Sequence, residues 1–442
     1  MNKCYAMDYP PKNIWWRHSE RLRDLLYAGF VFFMPFTQAL TFNIGFPLKF
    51  SELFLLMLGG LYILLHRRVR LPGMLTFLLS TLFIAVTVSL VVNLFWDYPY
   101  LLRKYATRFG YTGDSLAKYA YFIIALLSLF VSVDIFLQDR RRYVSIWVYG
   151  SITAALYAWY LTSFSALRLP VYLLPGMEHP PQTIDGNIIR CGTFLEGNIM
   201  GLYLVLSAAM AFYIKKIRSG IFLLVSVITT FSTLSILSCF LFILIYLQHI
   251  LFKKRYLGWA LGGLAILGVS FYFFSGSPLF KKYVADKLFA STDTKGPVAA
   301  SAVSKIDRLY TFRSAYATGW NNPIWGVGMS NFSRHYERYL PIVTDSSMHA
   351  FMQKKDAKVI PNNIYVEVFT EAGIPAFLLY VTLLISLLYY ARTDSSRSLM
   401  AGLFCMLLCF LAYPSFIMIY LWSFMALPIA DFIIYKSKEC PF

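Results

Sequence analysis

Long apolar runs recur from end to end of the chain, and the polar gaps between them are alternately rich and poor in basic residues. Taken as helices, the runs predict membrane crossings at roughly 24–44, 49–66, 72–95, 117–138, 143–164, 198–214, 219–234, 236–252, 257–275, 364–391, 398–412 and 416–435. The basic gaps begin with the N-terminal tail (Lys3, Lys12, Arg17, Arg21, Arg23), then Arg67, Arg68 and Arg70, then Arg140, Arg141 and Arg142. They continue with Lys215, Lys216 and Arg218, then Lys253, Lys254 and Arg255, then Arg392 and Arg397, and last Lys436 and Lys438. Basic gaps stay on the cytoplasmic side of a membrane, so neighbouring clusters are two crossings apart and the series implies about twelve spans.

The stretch 219–252 is the difficult one. As a single helix its 34 residues would be about 51 Å long against a hydrocarbon core of about 30 Å. It would also put the basic clusters at its two ends on opposite sides. Two short spans joined near Thr233 to Ser235 satisfy both constraints. The predicted fold is therefore an all-α integral membrane protein: a transmembrane bundle over 1–275, a large and partly helical outer loop or cap over 276–362, and further transmembrane helices over 363–442.

Composition agrees, since 58% hydrophobic and 14% charged residues exclude an ordinary soluble domain. The formal net charge of +18 would suggest a nucleic-acid partner in a soluble protein, but topology accounts for most of it and no nucleic-acid partner is expected. No cleavable signal peptide is expected, because polar and aromatic residues precede a first apolar run long enough to span. Both termini are expected in the cytoplasm. Six cysteines show no metal-ligand spacing, so neither a metal, a cofactor nor a disulfide framework is indicated.

Candidate chemistry falls in the outer gaps. The cap carries Arg308, Arg313, Arg334 and Arg338 with His335 and His349, and its aromatic residues Trp320, Trp325, Phe332, Tyr336 and Tyr339 can bury apolar surface. Its stretch 291–304 is small and polar, the composition of a flexible segment. The segment SKIDRLYTFRSAYATGW reads as an amphipathic helix with Ile306, Leu309, Tyr310 and Phe312 among its apolar residues. Guanidinium groups bind phosphate oxygens in pairs, so the arginines read either as a cationic diphosphate site or as a solvated loop surface. Arg190 sits among apolar neighbours ahead of Glu196, Gly197 and Asn198, and Glu196 is placed either to act or to satisfy a helix start. In PNNIYVEVFTEAGIP, Asn362 and Asn363 fit a helix start, Glu367 and Glu371 share a helical face, and a loosening or kink is expected near Gly373 and Pro375. His179, His335 and His349 are the outward imidazoles.

Three segments, RCGTFLEGNIMGLYL at 190–204, DRLYTFRSAYATGWNNPIWGVGMSNF at 307–332 and PNNIYVEVFTEAGIPAF at 361–377, stand in the order found in the O-antigen ligase and polymerase superfamily, which the chain resembles. Two departures stand out. Relatives commonly read His-Asn where this chain has Asn362 and Asn363, and an arginine often follows the serine near 235 where this chain has Ile236. Loss of that histidine favours a polymerase over a ligase. The resemblance implies a bacterial inner-membrane glycosyltransferase acting at the periplasmic face, independent of metal, with polyprenyl-diphosphate-linked glycan as donor and acceptor. A chain-length regulator protein is a further partner it implies. The alternatives are a ligase transferring glycan to lipid A-core or another acceptor, and a lipid-linked glycan transporter. On this reading Arg190, Arg308, Arg313 and Arg334 hold the diphosphate and His349 or Glu371 serves as base. Glu196, Asn198, Asn362, Asn363 and Glu367 line the sugar site at the helix mouths.

Overall fold

The computed structural model describes residues 14–43, 47–67, 69, 71–177, 181–184, 186–251, 300–340, 357–393 and 396–439. The expected crossing at 257–275, the stretch 276–299, His179 and His349 lie outside them. The described chain is almost wholly helical: α1 (Ile14–Phe33), α2 (Phe50–Leu64), α3 (Gly73–Phe95), α4 (Gly110–Ala166), α5 (Gly197–Tyr213), α6 (Ile217–Ser226) and α7 (Thr233–Leu251) come first. After them stand α8 (Ala300–Asn321), the single turn α9 (Phe332–His335), α10 (Ile364–Tyr390), α11 (Arg397–Cys409) and α12 (Ile419–Glu439). Two short antiparallel hairpins complete it, β1 (Thr41–Asn43) with β2 (Pro47–Lys49) and β3 (Thr183–Ile184) with β4 (Ile188–Ile189). Among the described residues, α3, α4, α10 and α12 are long and apolar enough to cross a membrane, and α2, α5, α6, α7 and α11 are shorter apolar helices.

Most helices fall where the apolar runs predict them, and the breaks have local causes. α4 runs for 57 residues but is interrupted at Asp139, whose backbone is non-helical. The Asp139 carboxylate accepts from the Arg142 N–H at 3.1 Å, so it caps the second arm. The stretch 219–252 is indeed broken: a 3₁₀ turn over Val227–Thr230 leads to Phe231 in the left-handed region (φ 46°), and α7 begins at Thr233. The first run differs. α1 ends at Phe33, eleven residues before the expected end at 44, and Pro35 and the β1–β2 hairpin turn the chain back before α2.

Described arginines of two basic gaps find carboxylates on neighbouring helices at one end of the bundle. Arg67 pairs with Asp134 at 2.7 Å and with Glu20, while Arg140 pairs with Asp431 at 2.5 Å. Asp431 also accepts from Tyr213 and Thr393, drawing α4, α5, α12 and the α10–α11 turn together. Four further gaps meet at the opposite end. Gln38 N–H donates to Thr193 O at 2.9 Å, Asn198 Nδ2 to Ala412 O at 3.3 Å, and Asn363 Nδ2 to Leu411 O at 3.1 Å.

Candidate functional site

At that second end the kink in α10 forms the floor of the site. Pro375 has no N–H to give Glu371 O, and Gly373 leaves the helical region with φ +81°. Buried backbone groups freed in this way need partners, and the loop 322–328 supplies them. Val327 N–H donates to Thr370 O and Gly328 N–H to Glu371 O, both at 2.9 Å, and Ile374 N–H donates to Pro323 O at 2.7 Å. Ser89 Oγ of α3 lies 2.6 Å from Trp325 O and 2.9 Å from Glu371 O. A Cβ on Gly373 would stand 2.2 Å from Ile324 O, so the approach requires glycine. The sequence Asn-Asn-Pro-Ile-Trp-Gly-Val-Gly is thus the other half of the kink.

Docking of α8 follows from the same closeness. Its buried face is made of Ile306, Thr311, Ser314, Ala315 and Thr318, and Thr370 Oγ1 donates to Ala315 O at 2.8 Å. Leu309 and Tyr310 are half-buried and Phe312 is exposed. Beyond Ile306, small side chains face the bundle because the α8 backbone runs against Phe369 and Thr370. A Cβ on Gly319 would meet Phe369 at 2.5 Å.

Above the kink, Glu367 and Glu371 lie on one face of α10 and are 0% and 3% exposed. Between them sits Lys118 of α4, its Nζ 2.6 Å from an oxygen of each. The two carboxylates are not equivalent. Glu367 also accepts from Ser415 Oγ and Phe416 N–H, both at 3.0 Å. Glu371 accepts from Lys118 through Oε2, and among the described residues its second oxygen has no donor. Lys118 escapes a reading of the sequence that treats it as the edge of an apolar run. A lysine at a helix end expected outside, against the charge rule, with two carboxylates on one face of another helix, is the signal that would have found it.

The same face of α4 carries Tyr111 and Ser115, two turns and one turn before Lys118. Arg334 stacks on the Tyr111 ring at 4.6 Å, and its Nε is buried without a partner among the described residues. Ser115 Oγ meets Asn331 Oδ1 at 3.3 Å. Tyr105 packs edge-on against Tyr111, ring centroids 5.2 Å apart, and its hydroxyl is pushed up to about 12, by burial above all and then by Asp114, with Arg334 opposing. Arg103, outside the expected set, ties this wall together through Glu337 at 2.9 Å, Ser333 Oγ at 3.2 Å and Ala357 O at 3.0 Å. His335 packs behind it, with Nδ1 2.8 Å from Tyr100 OH and Nε2 buried without a partner. Burial above all, with Arg334 and Arg338 adding to it, pushes the His335 imidazole down to about 3.

The remaining expected residues fall elsewhere. Arg190 donates to Gln182 Oε1 at 2.7 Å, and its Nε is buried without a partner. Arg308 and Arg313 are exposed on α8. Glu196 holds the N-cap position of α5 without a side-chain cap bond. Asn363 does cap α10, accepting from Val366 N–H at 3.1 Å, and Asn362 precedes it with φ 52°. Asn198 and Asn363 grip adjacent carbonyls of the turn after α11. Among the described residues, no cluster of histidine, cysteine and carboxylate side chains could hold a metal ion.

A helical membrane protein with a buried charge cluster at one end of its bundle, roofed by a docked loop, is the class that this fold and site define. Residues 219–381 match the family model described as O-antigen ligase, a stretch that includes Arg334, Glu367 and Glu371 but not Lys118. The match takes in two of the three segments, 307–332 and 361–377, and bears out the resemblance to the O-antigen ligase and polymerase superfamily, whose members are glycosyltransferase-like enzymes. No curated protein matches the chain.

Proposed function

We propose that the protein is a polymerase that joins polyprenyl-diphosphate-linked oligosaccharide repeat units at the periplasmic face of the bacterial inner membrane. The observation that carries this reading is the face of α4 that brings a carboxylate and a cation into one wall: Lys118 holds Glu371 at 2.6 Å, and Tyr111, two turns earlier, lies under Arg334, whose Nε has no partner among the described residues. Glycosyl transfer needs both. The acceptor hydroxyl oxygen bonds to the anomeric carbon, the carbon–oxygen bond to the diphosphate breaks, and polyprenyl diphosphate leaves with the electron pair. Arg334, with Arg190, Arg308 and Arg313 as further cations, stabilises the leaving diphosphate. Glu371 takes the hydroxyl proton, and Lys118 positions it. His349 remains the rival base. The basic end of the bundle faces the cytoplasm on this reading, so both termini do too and the site faces out.

The closest rival is a ligase that transfers the glycan to lipid A-core or another acceptor, and Asn362 in place of histidine favours the polymerase. Incubating purified protein with lipid-linked repeat unit alone is the test. A ladder of products is expected, and its loss is expected in Arg334→Ala, with poor rescue by Arg334→Lys because an ammonium lacks the planar fork. A single addition that requires a second acceptor identifies a ligase, and normal ladders from Arg334→Ala refute the cationic role.

A further inference from the structure

A cavity of about 320 Å³ lies on the other side of Ser415 from the charge cluster, between the end of α1, the start of α2, α4, and the starts of α5 and α12. Its walls are of two kinds. One is polar: Gln38, Lys49, Glu52, Tyr121 and Ser415 line it. The other is apolar, with Leu195, Ile199, Ile417 and Met418. The Gln38 side-chain oxygen is buried and has no hydrogen-bond donor among the described residues. A buried acceptor without a donor costs stability, and a ligand hydroxyl reaching it would remove that cost.

The charged groups of this wall cancel. Lys49 Nζ lies 2.8 Å from Glu52 Oε1, and the Tyr121 hydroxyl lies 3.5 Å from Glu52 Oε2. With its one cation neutralised, the cavity is a poor match for a diphosphate. An isoprenoid tail would match the apolar wall alone and leave the Gln38 oxygen without a donor. A neutral sugar fits both walls: hydroxyls both donate and accept, and the C–H faces of a pyranose pack on apolar and aromatic side chains. Tyr420 leaves its ring for such packing, because its hydroxyl is already engaged with Ile199 O at 3.4 Å.

We propose that this cavity binds the sugar of the acceptor repeat unit, with Gln38 as a hydrogen-bond acceptor that positions it. The proposal rests on reading the protein as a glycan polymerase. The inner end of the cavity reaches the carboxylates through Ser415, whose Oγ is 3.0 Å from Glu367 Oε1. Tyr121 follows Lys118 by one turn of α4. Donor diphosphate at Arg334 and acceptor sugar in the cavity therefore approach the Lys118–Glu367–Glu371 cluster from opposite sides.

The test separates binding from turnover. The probes are the repeat-unit oligosaccharide released from its lipid carrier by mild acid, and polyprenyl diphosphate, each titrated into the full-length protein in detergent. Ile417→Trp, which fills the cavity, and Gln38→Leu, which removes the orphan acceptor, should each weaken oligosaccharide binding by about tenfold, the scale of one buried hydrogen bond or a lost contact face. Polyprenyl diphosphate binding should be unchanged in both. Unchanged oligosaccharide binding in both variants overturns the proposal, as does a wild type that does not bind the oligosaccharide. Weakened polyprenyl diphosphate binding instead would make the cavity a lipid site and overturn it too. Failure of the polymerase reading shows elsewhere, as absence of ladders from a wild type whose oligosaccharide binding these variants still weaken.

Discussion

Replacing Lys118 by methionine keeps the length of the side chain and removes the ammonium that holds Glu367 and Glu371 at 2.6 Å each. Removing one member of a buried ion cluster costs about 3–5 kcal/mol, because a buried charge is left without compensation. The structure says which carboxylate suffers. Glu367 keeps Ser415 Oγ and the Phe416 N–H, both at 3.0 Å, whereas the Glu371 side chain loses the donor on its Oε2. The second substitution should therefore rescue unequally. Lys118→Met with Glu371→Gln should be more stable than Lys118→Met with Glu367→Gln by about 1.5–3 kcal/mol, the value of a hydrogen bond to a charged group. The assay is a double-mutant cycle of unfolding by SDS in mixed micelles, followed by circular dichroism. Equal rescue by the two second substitutions, or a Lys118→Met protein as stable as wild type, would refute the reasoning.

Two further outcomes follow from the geometry around the site. Gly373→Ala combines positive φ with a Cβ 2.2 Å from Ile324 O, so the loop 322–328 should lose its seat on α10 at a cost of about 2 kcal/mol or more; protease cleavage within that loop should appear in the variant and not in the wild type. His335 is pushed down to about 3 in the folded protein, against about 6.5 when unfolded. Its contribution to stability is complete above pH 6.5 and is lost as the pH falls towards 3, with about 2 kcal/mol gone by pH 5. Unfolding midpoints measured from pH 7.5 to 5 should fall in the wild type and fall less in His335→Asn.

Much of the architecture is local, and so could be read from the chain by itself. Apolar runs fold as helices because membrane-embedded backbone must satisfy its own hydrogen bonds, which is why α2, α3, α5 and α10 begin within a residue or two of the predicted starts. The break in 219–252 follows from length and charge, and the pairing of Glu367 with Glu371 on one face follows from helical spacing alone. The kink in α10 is legible in Gly373 and Pro375. What completes it is not, since Gly328 and Glu371 are joined across 43 residues by backbone groups that any sequence carries. Lys118 lies 249 residues from Glu367, and no periodicity connects them. Their pairing exists because two helices pack with these positions facing, where a lone buried charge would be too costly to keep. The inward face of α8 shows the same limit. Amphipathicity marks which residues can be buried, but the close approach to Phe369 and Thr370 decided that the small ones are. Local spacing determined the helices and the residues on each face; only the tertiary packing decided which faces meet, and so which charges form the site.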